Sequence, residues 1–270
     1  MTAVRLTAGA ASLDVDPDDG GRWTSLQVDG LELLSGAPVD GVPAAVTSGC
    51  FPMAPFAGRL REGRLDFRGR TWQLPVDAPP HAIHGTVVAQ RWSLDHADAT
   101  TAELSVALAQ PWPFAGTVRQ RLVLREDGLD ATLSLSADED MPVTLGYHPW
   151  FARRLDRGEE LQLDVRPHRQ YLRDGSGLPT GELRAPRGGP WDDCFVGTEQ
   201  PPRLRWPGAL SLELTSGSDH WVVFDERPDV ACVEPQTGPP DAVHLGEEDV
   251  VPAGGSLALD VQVRWVSERP

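Results

Sequence analysis

Lysine is absent. All 24 basic residues of the 270-residue sequence are arginines, set against 40 acidic ones, for a formal net charge of −16. A surface this acidic repels phosphate backbones, which argues against nucleic acid as a partner. Cysteine is scarce: Cys50, Cys194 and Cys232 are odd in number and far apart. They predict no disulfide framework and a reducing, cytoplasmic setting. None has a C-x-x-C neighbour, so zinc held through thiolates is not expected. No run of about 18 apolar residues occurs, so no membrane span is expected. The opening MTAVRLTAGAASLDVD has no long apolar core before its first acids, so no signal peptide is expected. Helical patterning is missing too. No 12-residue stretch keeps a 3.6-residue period, which excludes a βαβ architecture, whose parallel strands need helical crossovers.

Turn formers and alternation are plentiful. The 27 glycines and 25 prolines are scattered along the chain, as tight turns between short strands require. A hydrophobic content of 40% with nine tryptophans supports a packed core rather than disorder. Apolar and polar residues alternate in AELSVALA (102–109), VRQRLVLRE (118–126), ATLSLSA (131–137), LQLDV (161–165), LSLELTS (210–216), HWVVFDE (220–226) and LALDVQVRW (257–265). A period of two marks strands with one buried face. GRLDFRGRTWQL (63–74) reads as a hairpin turning at Arg68-Gly69-Arg70, and REDGLDATL (125–133) as another turning at Asp127-Gly128. The Pro/Gly-rich stretch 173–190 reads as a long surface loop and RRLDR (153–157) as a solvated face. The expected fold is all-β, a large antiparallel β-sandwich forming one domain over residues 1–270.

Four segments carry residue types suited to acid–base work. In CVEPQTGPPDA (232–242), Glu234 ends a short apolar run and precedes a rigid Pro/Gly turn. Pro235 restricts Glu234 to extended conformations, and a carboxylate at the mouth of an apolar cleft becomes a usable base near neutral pH. His148 lies in GYHPWF, where Trp150 and Phe151 offer flat apolar surface. A histidine titrates near 6.5 when unperturbed, so a neighbouring carboxylate would keep it able to donate a proton. HAIHG holds His81 and His84; an H-x-x-H spacing suggests a metal, but on a strand the two point to opposite faces and no third ligand follows. Arg59 ends FPMAPFAGR, and Asp192 and Asp193 sit in WDDCF beside Trp191. Singly, each has a bland explanation as a solvent-facing glutamate, a core histidine, a surface arginine or a capped turn.

Taken in order, PFAGR, HAIHG followed by Trp92, GYHPWF, DDCF and CVEPQTGPPDA resemble the aldose 1-epimerases, or mutarotases, of the galactose mutarotase type. The resemblance implies that family's large antiparallel sandwich. It implies Glu234 as general base, His148 as general acid, His84 assisting at the ring oxygen, and Arg59 and Asp192 holding sugar hydroxyls, with Trp150 against the sugar. Asp192 fits better than Asp193 because the pattern places the aspartate three residues before a Phe, here Phe195. The chain departs from better-known members at Gly58, where many carry Asn, at Pro149-Trp150-Phe151 after His148, and at Thr86 after Gly85.

The implied reaction opens a hexose ring as Glu234 takes the C1 hydroxyl proton and His148 protonates the ring oxygen, with no metal or organic cofactor. With ordinary pKa values, activity would fall when Glu234 gains a proton or His148 loses one. The protein would work as a monomer or homodimer on a small sugar, away from membranes. The alternatives are a noncatalytic carbohydrate-binding sandwich, an epimerase of a phosphorylated or sulfonated hexose using Arg61, Arg64 and Arg91, and, more distantly, a metal-dependent cupin-like enzyme.

Overall fold

The computed structural model describes residues 3–35 and 46–268. Among these residues, two antiparallel sheets dominate. The smaller has eight strands in the order Ser93–Ala97, Thr101–Ala107, Gly116–Arg125, Gly128–Ala137, Ser256–Ser267, Leu210–Ser216, Arg203–Trp206 and Gln162–Asp164. Its strands alternate as their sequences predict. Val118, Leu122 and Leu124 point inward while Arg119, Arg121 and Arg125 face solvent.

The larger sheet has twelve strands. At its centre, Cys50–Met53, Gly146–Pro149, Val230–Gln236, His220–Phe224 and Asp192–Thr198 lie side by side. Val230–Gln236 is buried at every position, as are Cys50–Met53 and Gly146–Pro149. One face of these strands packs on the smaller sheet through Tyr147, Phe151, Phe195, Val223 and Val233. The other face is covered by loops. Strands buried on both faces show no alternation, and a polar side chain among them is costly unless it is partnered or used.

The two sheets are tied by a buried glutamine. Trp23 Nε1 of the large sheet donates to Gln120 Oε1 at 2.7 Å, and Gln120 Nε2 donates to the Gly21 carbonyl at 2.7 Å.

Three local expectations need correction. The hairpin after Arg125 turns at Glu126-Asp127, and Gly128 already pairs with Arg125. The stretch 173–190 is not one loop: Pro167–Arg173 and Pro179–Arg184 form a hairpin at the edge of the large sheet. Asp174 folds its turn by accepting from the backbone N–H groups of Ser176 (2.9 Å) and Leu178 (3.1 Å), an Asx turn completed by Gly177 at φ +85. Arg153, assigned above to a solvated face, instead donates to the carbonyls of Asp225, Arg227 and Val230 at 2.6–3.1 Å. The hairpin 63–74 forms as expected, with Arg68 and Gly69 both at positive φ. The described α-helix is the single turn Ala242–Leu245, and no described helix is long and apolar enough to cross a membrane.

Replacing Gln120 by Leu would leave a buried indole N–H and a buried carbonyl unpaired. The expected loss is about 2–4 kcal/mol of stability, measurable by urea unfolding.

Candidate active site

Gly146 pairs with Gln236, and Phe151 pairs with Ala231. Both pairs belong to one antiparallel register, which places His148 opposite Glu234 and Trp150 opposite Cys232. Residues directly opposite share a face. Phe51 lies opposite His148 on the next strand, and Val222 opposite Glu234 on the other side. His148 Nε2 comes within 3.3 Å of Glu234 Oε1. Its ring is stacked between Phe51 (centroids 4.8 Å) and Trp150 (4.9 Å). Gln236, two residues beyond Glu234 on the same face, donates from Nε2 to Glu234 Oε2 at 3.1 Å.

This row forms one wall of a hollow of about 230 Å³. Arg59 and His84 reach it from a short ladder in which Arg59 pairs with Ile83. The His84 N–H donates to the Gly58 carbonyl at 2.8 Å, and the His84 ring stands edge-on to His148 with centroids 4.8 Å apart. His84 adopts φ +61 and Gly85 φ +81. A Cβ on Gly85 would lie 2.0 Å from the Ala54 carbonyl oxygen, so the close approach there requires glycine. Gly58 meets Pro240 in the same way, with a Cβ only 2.7 Å from its ring. The departure from Asn at position 58 therefore goes with the proline of the loop that follows Glu234. That loop is tied back by Asp241, whose N–H donates to the Arg59 carbonyl and whose carboxylate accepts from the Arg61 N–H, both at 2.8 Å.

Asp192 also lines the hollow and Asp193 does not. Arg173, which no sequence motif singled out, holds Asp192 Oδ2 at 3.0 Å and Asp193 Oδ1 at 3.1 Å. Arg59 keeps a looser distance of 3.8 Å to Asp192 and leaves its guanidinium partly open. Trp150 lines the hollow, but its ring covers His148 and its N–H donates to the Val46 carbonyl at 3.2 Å. The H-x-x-H pair separates: His84 enters the site, while buried His81 accepts the Glu62 N–H on Nδ1. The three arginines considered for an anion do not converge. Arg61 pairs with Asp174 and Asp241, Arg64 with Asp66, and Arg91 with Asp18. Gln236 and Phe51 were not foreseen either; both lie in the motifs already singled out or beside them, and only strand pairing shows what they touch.

Burial controls the protonation of the pair. It pushes the Glu234 carboxyl well above its ordinary value, with the negative charge of Asp192 adding to the effect and the Gln236 hydrogen bond and Arg59 opposing it. Burial also pulls His148 down to about 3 and His84 well below the usual imidazole range. Burial thus works against the order expected from ordinary values, favouring a proton on the carboxyl over one on the imidazole.

The aldose 1-epimerase family model matches residues 2–243. The chain belongs to the aldose 1-epimerase family. It is 27% identical over 286 aligned residues to the uncharacterized protein YphB of Escherichia coli (strain K12), an alignment covering 95% of this chain and 93% of YphB. Its fold matches a galactose mutarotase-like protein of Clostridium acetobutylicum with a TM-score of 0.84, at 18% identity and covering 98% and 95% of the two chains. It also matches a galactose mutarotase-like protein of Lactobacillus casei with a TM-score of 0.80, at 15% identity and covering 98% and 100%. At these identities the structural likeness establishes the aldose epimerase fold and nothing finer.

Replacing Glu234 by Gln would remove a buried ionisable group. The folded carboxyl keeps its proton above pH 4.5, the ordinary value at which the unfolded chain releases it. Wild-type stability therefore falls relative to the variant as pH rises past that value. The fall is about 1.4 kcal/mol for each tenfold by which the folded carboxyl holds its proton more tightly than the unfolded one. The Glu234→Gln protein is expected to melt higher, by at least about 2 °C near pH 8, with a smaller gap near pH 5.

Proposed function

We propose that the protein is a mutarotase that interconverts the α and β anomers of a neutral hexose, acting as one domain. The observation that carries this reading is the His148–Glu234 pair, 3.3 Å apart at the wall of a small hollow. At about 230 Å³ the hollow is smaller than the roughly 300–1,000 Å³ of pockets for drug-sized ligands, which suits one sugar ring. Arg59 and Asp192 supply a donor and an acceptor for hydroxyl groups. Neutral sugars are favoured because the cations at the hollow are already balanced: Arg227 pairs with Asp229, and Arg59 faces Asp192.

Ring opening requires the C1 hydroxyl to lose a proton while the ring oxygen gains one. The reactive form of the pair is reached when a proton moves from Glu234 Oε1 to His148 Nε2. Glu234 then takes the hydroxyl proton and His148 gives its proton to the ring oxygen. The bond from C1 to the ring oxygen breaks, and C1 becomes an aldehyde carbon. The pair ends neutral, the form that burial favours, so the cost of separating charge is returned as the ring opens. After rotation about C1–C2 the same two groups run in reverse and close the ring on either face. His84, held neutral beside His148, is positioned to orient the ring oxygen.

Each proton-transfer group contributes about 10²–10⁴ in rate. Glu234→Gln and His148→Asn are each expected to lower anomer exchange by that factor, followed by polarimetry or NMR on folded protein. Near wild-type turnover in both would overturn the assignment.

The pH profile of kcat/KM is expected to be bell-shaped, with limbs that belong to the pair. It rises through about 3, where the second proton leaves His148, and falls where the raised Glu234 ionises. An acid limb at an ordinary carboxylate value together with an alkaline limb at an ordinary imidazole value would contradict the inverted order.

A further inference from the structure

We propose that His148 and Glu234 at the wall of the hollow, together with Cys232 buried beside them, form a binding site for a zinc-class divalent cation, and that such a cation excludes the sugar. One ligand atom from each of these residues lies within 4.8 Å of the other two, and all three residues are buried. Strand register produces the set. Cys232 and Glu234 are two apart on one strand, hence on one face, and His148 faces Glu234 from the next strand. Sequence spacing gives no hint of this trio and points instead to His81 and His84, which the fold separates.

Geometry and charge both favour the assignment. Tetrahedral zinc, with bonds of about 2.0–2.3 Å, sets its ligand atoms roughly 3.3–3.7 Å apart. His148 Nε2 and Glu234 Oε1 already stand at 3.3 Å, so the cation would sit between them. The thiol must close in by about 1 Å, within reach of a side-chain rotation. Gln236 holds the other carboxylate oxygen, the outer-shell contact that fixes a ligand's orientation. Because His148 and Glu234 line the hollow, a water or a sugar hydroxyl from it would complete the set. A divalent cation with one thiolate, one carboxylate and one neutral imidazole is neutral overall, which suits a site that penalises net charge. A thiolate must replace the thiol for the metal to bind, so binding releases protons and tightens as pH rises. Calcium and magnesium, which need six or more oxygen ligands, are excluded.

Binding itself does not depend on the epimerase reading; only the inhibition does. The full-length protein, stripped with a chelator, would be titrated with Co²⁺ and followed by absorption. A sulfur-to-cobalt charge-transfer band with the visible bands of a tetrahedral ion is expected, displaced by Zn²⁺ and unaffected by Mg²⁺. Cys232→Ala and Cys232→Ser should both lose the charge-transfer band and bind Zn²⁺ at least about 10-fold more weakly, while their metal-free anomer exchange stays at the wild-type level. Zn²⁺ should inhibit wild type competitively with sugar and reversibly with chelator. Absence of the band in wild type, or its persistence in both folded Cys232 variants, would overturn the site. Loss of the epimerase reading would leave the cobalt spectrum standing, so the two failures are distinguishable.

Discussion

The site depends on one antiparallel register. The pairs Gly146 with Gln236 and Phe151 with Ala231 fix His148 against Glu234. A slip of one residue would turn either side chain to the opposite face. The register is protected because the alternate faces of the same strands are committed to the core: Tyr147, Phe151 and Val233 on one side oblige His148 and Glu234 to the other. The placement of the pair and the hydrophobic packing are thus set by the same strand register.

Burial then supplies the chemistry. The walls that exclude water from the pair are Phe51, Trp150, Val222 and Phe224. They raise the carboxyl and lower the imidazole. The polar groups around the pair act at the margins of that effect: Gln236 and Arg59 favour the carboxylate, and Asp192 disfavours it. Arg173 in turn bridges Asp192 and Asp193 from the neighbouring strand, so the acid beside Glu234 has a fixed place.

Much of the fold was legible in the sequence, and unevenly so. The eight-stranded sheet showed itself because one face meets solvent, and Arg119, Arg121 and Arg125 punctuate Val118, Leu122 and Leu124. The central strands of the larger sheet showed only short apolar runs, since both faces are covered. Their polar members stood out for that reason, which is how Glu234 and His148 could be singled out. Arg153 misled because a charged residue between loops reads as exposed, whereas carbonyl oxygens of a hairpin distant in sequence enclose it. The Asp174 turn misled because glycine and proline near it suggested a longer loop. Phe51, Gln236 and Arg173 owe their places to cross-strand neighbours, and pairing between strands far apart in the chain leaves no local signature.

Because His148 and Glu234 stand on strands bonded to one another within a single sheet, no hinge lies between them. They cannot be drawn apart and reassembled around an incoming molecule, as happens in proteins whose reactive groups sit on separate lobes. Among the described residues, the segments bearing Arg59, His84 and Pro240 stand at the hollow, and Asp241 and Gly58 tie them to each other. The hollow is a socket whose collar is stitched to itself.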